Sequence, residues 1–304
     1  MDEFIEIVKK GITANTVGAA TLEDLDNVYS AQAEGWWYPA YDFVNQKFDF
    51  TNMWVPAMNR LAELRAVPGL EAWIMRYPKL EDDTTSLDSE YVAKFGEAGK
   101  DDNHYTFKNG LALLCTNATY NDNWMRNECQ VNWDYWPYPR VDENTPTYTP
   151  IHVDCAYLTS TCADPEAAFQ LLKWLTYGVE GNLQRLDIFA ARSDGEFAGE
   201  TTTLLKTWFM PCTQHPDVVA KFSENPNVTE GLAALYESLE YSIRGDINKV
   251  IPGYNNIFND EVNALLNSVR QGQANAADVA PQIDALVNAA LAEQLEAFNA
   301  KVGE

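Results

Sequence analysis

Three short runs in the middle of the chain constrain its fold most. Residues 111–116 are continuously apolar, residues 130–136 alternate and are rich in aromatics, and residues 151–158 carry Ile, Val, Cys and Tyr. Runs of that length and composition suit β-strands with at least one buried face. Helical periodicity flanks them. Phe4, Ile5, Ile7 and Val8 sit at helical spacing against Asp2, Glu3, Glu6, Lys9 and Lys10. A second helix is expected over residues 54–67, burying Met58, Leu61 and Leu64 and stopping before Pro68-Gly69. Strands set among helices predict a mixed α/β protein rather than a bundle.

The second half starts its helices clearly. Asp164-Pro165-Glu166 combines a side chain that accepts from free N–H groups with a proline that has no N–H to satisfy. That helix is expected to run through Phe169, Leu172 and Trp174 to Gly178, with others over 229–241, 259–271 and 277–301. Val279, Ile283, Leu286, Val287, Leu291, Leu295 and Phe298 mark the inner face of the last one. Residues 80–104 are acidic and poorly periodic, which predicts a surface excursion. With 304 residues and 46% hydrophobic composition, the chain has enough apolar surface to order two lobes or one large unit.

Charge and chemistry exclude several functions. A formal charge of −24, from 45 acidic and 21 basic residues, repels nucleic-acid backbones and anionic membranes. Five cysteines at irregular spacings include no C-x-x-C pair, so a metal site is not expected; a Cys155–Cys162 disulfide stays open. No apolar run is long enough to span a bilayer. Met1-Asp2-Glu3-Phe4 has neither the basic nor the apolar region of an export signal, so the signal of an exported protein would lie outside these residues. His104, His152 and His215 have no motif partner, and no H-E-x-x-H, G-x-S-x-G or P-loop occurs. The chain reads as a non-enzyme with no cofactor.

Several segments resemble, in order, the extracellular solute-binding proteins of ABC sugar importers, of the maltose-binding type. Asp2-Glu3-Phe4 is similar to the family's W-D-E-F helix, and Phe107-Lys108-Asn109-Gly110-Leu111-Ala112 followed by Asn117-Ala118-Thr119-Tyr120 to its F-x-x-G strand and G-x-W turn. Val131-Asn132-Trp133-Asp134-Tyr135-Trp136-Pro137-Tyr138-Pro139 resembles its strand ending in P-x-P. Ala163-Asp164-Pro165-Glu166-Ala167-Ala168-Phe169 resembles its N-P-E-A-A-W helix, and Val269-Arg270-Gln271-Gly272 its penultimate turn. The resemblance implies a periplasmic-binding-protein-like type II fold of two lobes. One lobe, residues 1–148 and 250–304, is nearly complete; the other, residues 149–249, is incomplete, because the family's N-terminal segment is missing ahead of the first match. The implied protein is a monomer, extracellular and lipid-anchored or periplasmic. It would bind a carbohydrate, an oligosaccharide above all, and present it to the ABC permease; with one lobe incomplete, weak binding or none is expected. A carbohydrate-active hydrolase and a cell-surface protein-interaction module are the rival readings.

Sugars are gripped by aromatic faces beside amide and charged groups. The resemblance places Tyr120 at the family's ligand-side turn, with Asn117 and Trp124 nearby, and it places Tyr254 and Phe258 before the long C-terminal helices and Arg192 in a hinge-proximal loop. Trp36 and Trp37, in an unusually aromatic stretch with Tyr38, are either a binding surface or a core plug. Trp133 and Trp136 stand three apart on an expected strand, so at most one of them would face a cleft, and core packing is the expectation for either.

Overall fold

The computed structural model describes residues 2–22, 40–76, 89–100, 102–140, 142–151, 156–191, 210–244 and 251–302. Helix and sheet are mixed, with helix predominant. Helix α1 (Asp2–Lys10) buries Ile5 and Val8 and carries acids in its first turn and lysines in its last, matching the helix dipole. It leads into β1 (Val17–Ala19), which pairs in parallel with β4 (Ala112–Leu114), Val17 opposite Ala112. Gly18 permits this docking, since a Cβ there would stand 2.6 Å from the Val8 side chain. A small antiparallel pair, β2 (Tyr41–Asp42) and β3 (Lys47–Phe48), precedes α2 (Phe50–Met53) and α3 (Val55–Arg65).

A helix lies within residues 80–104, where a surface excursion was expected. In α4 (Ser89–Phe95), Tyr91 is fully buried under the Arg76 guanidinium, 5.0 Å from its ring centre. The short α5 (Tyr105–Lys108) follows. Helix α6 (Asp122–Glu128) then precedes residues 129–140, which run without forming a strand. The expected strand over 130–136 is therefore corrected: alternation supplied the pattern, but among the described residues no strand pairs with it. Of the strand expected over 151–158 only Ile151 lies in one, at the end of β5 (Thr149–Ile151), which runs parallel to β6 (Ser242–Arg244); residues 152–155 lie outside the described residues, and 156–158 are irregular, which corrects the expectation there.

Helix starts follow their local signals. Asp164 accepts a hydrogen bond from Ala167 N–H at 3.0 Å and opens α7 (Pro165–Leu175). Helices α8 (Val179–Ala191), α9 (Pro216–Ser223), α10 (Glu230–Ser238) and α11 (Tyr254–Ile257) come next. Asn259 accepts from the N–H groups of Glu261 and Val262, both at 3.1 Å, and opens α12 (Asp260–Arg270). The chain closes on α13 (Ala276–Val302).

The largest core draws on residues 5–70 and 251–291, joining Phe48, Phe50, Trp54 and Leu61 to Phe258, Val262, Leu266, Ile283 and Val287. Asp284 of α13 accepts from the N–H groups of Phe50 and Thr51 at 2.6 and 3.1 Å, and Asn288 pairs with both backbone groups of Phe48. A satellite cluster of Val17, Ala72, Met75, Tyr91 and Ala112 lies beside the β1–β4 sheet. A separate core, Leu186, Phe189, Val218, Phe222, Leu232 and Tyr236, belongs to α8, α9 and α10. Helix α7 is the exception: none of its residues is buried, and Phe169, Leu171 and Leu175 are exposed. Only its C-terminus is firmly tied, Arg185 of α8 donating to the carbonyls of Leu175 and Thr176 at 3.0 and 2.8 Å.

Candidate functional site

A groove of about 680 Å³ runs between two stretches of backbone. One wall is Gly110 and Ala112 to Ala118, which includes β4; the other is the irregular strap of Val131 to Pro139. Phe4, Lys10, Gly11, Thr13 and Thr16 close one side, and Met125 and Phe107 also line it. The strap crosses between the two cores: the Tyr138 side chain packs against the large core, and that of Tyr135 against the core of α8 to α10.

Both strap tryptophans line the groove, which corrects the expectation that at most one could. Opposite-face alternation holds for a pleated strand, and the strap is not one. Trp136 is 73% exposed. Trp133 is half-buried, its ring edge-on to Tyr135 at 5.0 Å and covered by the Arg126 guanidinium at 5.4 Å. Arg126 is steadied by Asp122, a fully buried carboxylate that accepts from its Nε at 2.9 and 3.0 Å and from the Tyr135 hydroxyl at 2.9 Å. The aromatic wall is thus braced from behind before any ligand arrives, which lowers the cost of ordering it.

The residues expected at a site are only partly gathered here. Asn117 lines the groove, its Oδ1 accepting from Ala118 N–H at 2.8 Å and from Asn121 Nδ2 at 2.6 Å, while its own Nδ2 is buried with no hydrogen-bond partner. Tyr120 is 70% exposed on the short 3-10 turn Thr119–Asn121, but it is not among the groove-lining residues. Trp124 lies in α6, its side chain outside the described residues; Trp36, Trp37 and Arg192 lie outside them altogether. Phe258 is placed in the large core, 7% exposed and edge-on to Phe48 at 5.3 Å. Tyr254 stacks on Phe258 at 4.5 Å, so this pair packs the interior and does not line the groove. Trp133 and Trp136 were visible as aromatic residues; what the sequence does not disclose is that, among the described residues, the strap has no partner strand.

Burial, and then the nearby Cys129, push the Cys115 thiol up to about 12, so it stays protonated at neutral pH and makes a poor nucleophile. Asp134 is the one carboxylate on the described lining, and its oxygens are already engaged by protein donors. Among the described residues no group of three His, Cys, Asp or Glu side chains could hold a metal ion, and no helix is long and apolar enough to cross a membrane. The described cysteines, Cys162 included, are free thiols; Cys155 lies outside the described residues. Comparison with models of known protein families, with curated proteins and with solved structures returned no match.

Proposed function

We propose that this chain is the extracellular substrate-binding component of an ABC importer, holding a carbohydrate against the aromatic wall of the groove and presenting it to the permease. The observation that carries the reading is the pair Trp133 and Trp136 on one wall, the first braced and the second open to solvent, facing the amide-bearing wall that contains Asn117. Rings offered beside amides and hydroxyls match the C–H faces and hydroxyls of a pyranose.

The finer fold reading, a two-lobed type II clamp with one lobe incomplete, draws support from α7. A helix with Phe169, Leu171 and Leu175 exposed has an apolar face that a further layer of a lobe would cover. The two-stranded parallel sheet of β5 and β6 points the same way, because parallel sheets are ordinarily covered on both faces. A ligand held by both lobes would favour the closed form, whereas one touching a single wall has nothing to close.

The test is saturation-transfer NMR of the purified chain against neutral oligosaccharides, a method that reads millimolar binding. Stacking one pyranose face on Trp136 removes on the order of 60 Å² from water, worth about 1.5 kcal/mol or roughly a tenfold change in Kd. Trp136→Ala is expected to weaken binding by about that factor and leave thermal stability unchanged. No saturation transfer to any sugar, or transfer indifferent to Trp136→Ala, overturns the reading.

A further inference from the structure

The strap that carries the groove's tryptophans is fastened at its centre by one side chain. Asp134 Oδ1 accepts from the Tyr135 backbone N–H at 2.7 Å and from the Thr229 hydroxyl, and Oδ2 accepts from Gly231 N–H at 3.0 Å. Thr229 is itself the cap of α10, accepting from Leu232 N–H at 3.2 Å. A carboxylate at this point meets unpaired N–H groups and the positive end of the helix dipole, the two features that favour an anion there.

The approach is close enough to specify the partner residue. At Gly231 a Cβ would stand 1.8 Å from the Tyr135 carbonyl oxygen, so strap and helix touch backbone to backbone. Tyr135, next to the fastening, points its ring into the core of α8 to α10 and its hydroxyl at Asp122. Trp133 and Trp136, on either side of the pair, line the groove. Two anchored residues therefore separate two ligand-facing ones over four consecutive positions.

We propose that Asp134 is a positioning residue: it docks the strap on the N-terminus of α10 and thereby sets where Trp133 and Trp136 stand in the groove. The claim that this placement serves a sugar rests on the function proposed above; the placement itself does not. It also makes α10 a determinant of the groove although α10 contributes no residue to its lining.

The test reads the indoles directly. The full chain is labelled with 5-fluorotryptophan, the resonances of Trp133 and Trp136 are assigned by Trp→Phe substitution, and the 19F spectrum is recorded without ligand. Asp134→Ala is expected to move both resonances by more than their linewidths and leave Trp54, deep in the large core, where it was. Asp134→Asn retains an acceptor for Thr229 and loses charge, so smaller shifts of the same two resonances are expected. If Asp134→Ala does not fold, Thr229→Val decides, since it removes the hydroxyl tie and keeps the shape. Unchanged Trp133 and Trp136 resonances in the folded Asp134→Ala chain, or in Thr229→Val, overturn the proposal. Shifted resonances in a protein that binds no sugar leave Asp134 as positioner and refute the carbohydrate reading alone.

Discussion

If α7 presents an uncovered apolar face, truncating it will cost far less than an equal truncation in the core of α8 to α10. Phe222 on α9 is 1% exposed and packs on Tyr236, ring centres 4.6 Å apart. Phe222→Ala forfeits about 2.5 kcal/mol of transfer free energy and leaves a cavity, for a total of about 3–5 kcal/mol; the better helix propensity of alanine returns about 0.5 kcal/mol. Phe169 on α7 is 44% exposed, so little over half of its side chain has left water, and no closed cavity remains. Phe169→Ala then costs about 1.4 kcal/mol before the same helix-propensity gain, or about 1 kcal/mol net. At about 2 °C per kcal/mol for a chain of this size, the melting temperature falls by about 7 °C for Phe222→Ala and about 2 °C for Phe169→Ala. Thermal unfolding followed by far-UV circular dichroism, checked by urea titration for an unchanged slope, measures both. Equal losses would mean that α7 packs as tightly as α9, and the argument for an uncovered face would fail.

Three further outcomes follow from the described contacts. Arg65 and Glu71 form an ion pair of 2.6 Å with side chains 9% and 0% exposed, and Glu71 also accepts from Leu22 N–H at 2.7 Å. Removing either partner alone, as Arg65→Met or Glu71→Leu, is expected to cost about 3–5 kcal/mol in urea unfolding, and the double variant to recover much of it; additive losses would refute the pairing. Asp102 lies 2.5 Å from Lys108: burial would raise its carboxyl, but hydrogen bonds from Lys108 and the His104 N–H hold it below the usual range. A depressed pKa stabilises the fold above the unfolded carboxyl's pKa and loses that stability as pH falls through the folded value, so Asp102→Asn should flatten the acid side of the stability–pH curve; an unchanged slope counts against the pair. Cys115 should react with iodoacetamide at pH 8 far more slowly in the folded chain than in the unfolded one; mass spectrometry of digests reads the labelling, and equal rates would contradict its raised pKa.

What the sequence by itself determined is what a few neighbouring residues can decide. The starts of α7 and α12 were legible because Asp164 and Asn259 bond N–H groups two or three residues away, and the ends of α12 and α13 fall within a residue of the expected ones. Apolar stripes on α1 and α13 likewise pointed to Ile5, Val8, Ile283 and Val287, which are buried, but also to Ile7 and Phe298, which are exposed. The site was legible only as composition: an aromatic, amide-bearing chain with Asn117 among its candidates. Tertiary structure decided the rest. Val17–Ala19 is a strand because β4, nearly a hundred residues later, lies beside it, and three residues around Gly18 carry no strand signal of their own. Phe258 is a core residue because Phe48 and Phe50 meet it from the other end of the chain. Trp133 and Trp136 share a groove in a stretch that pairs with no strand among the described residues and whose Asp134 is held instead by α10. Local bonds can be read from adjacent letters; a ladder, a core contact or a groove needs a partner whose distance along the chain the letters do not state.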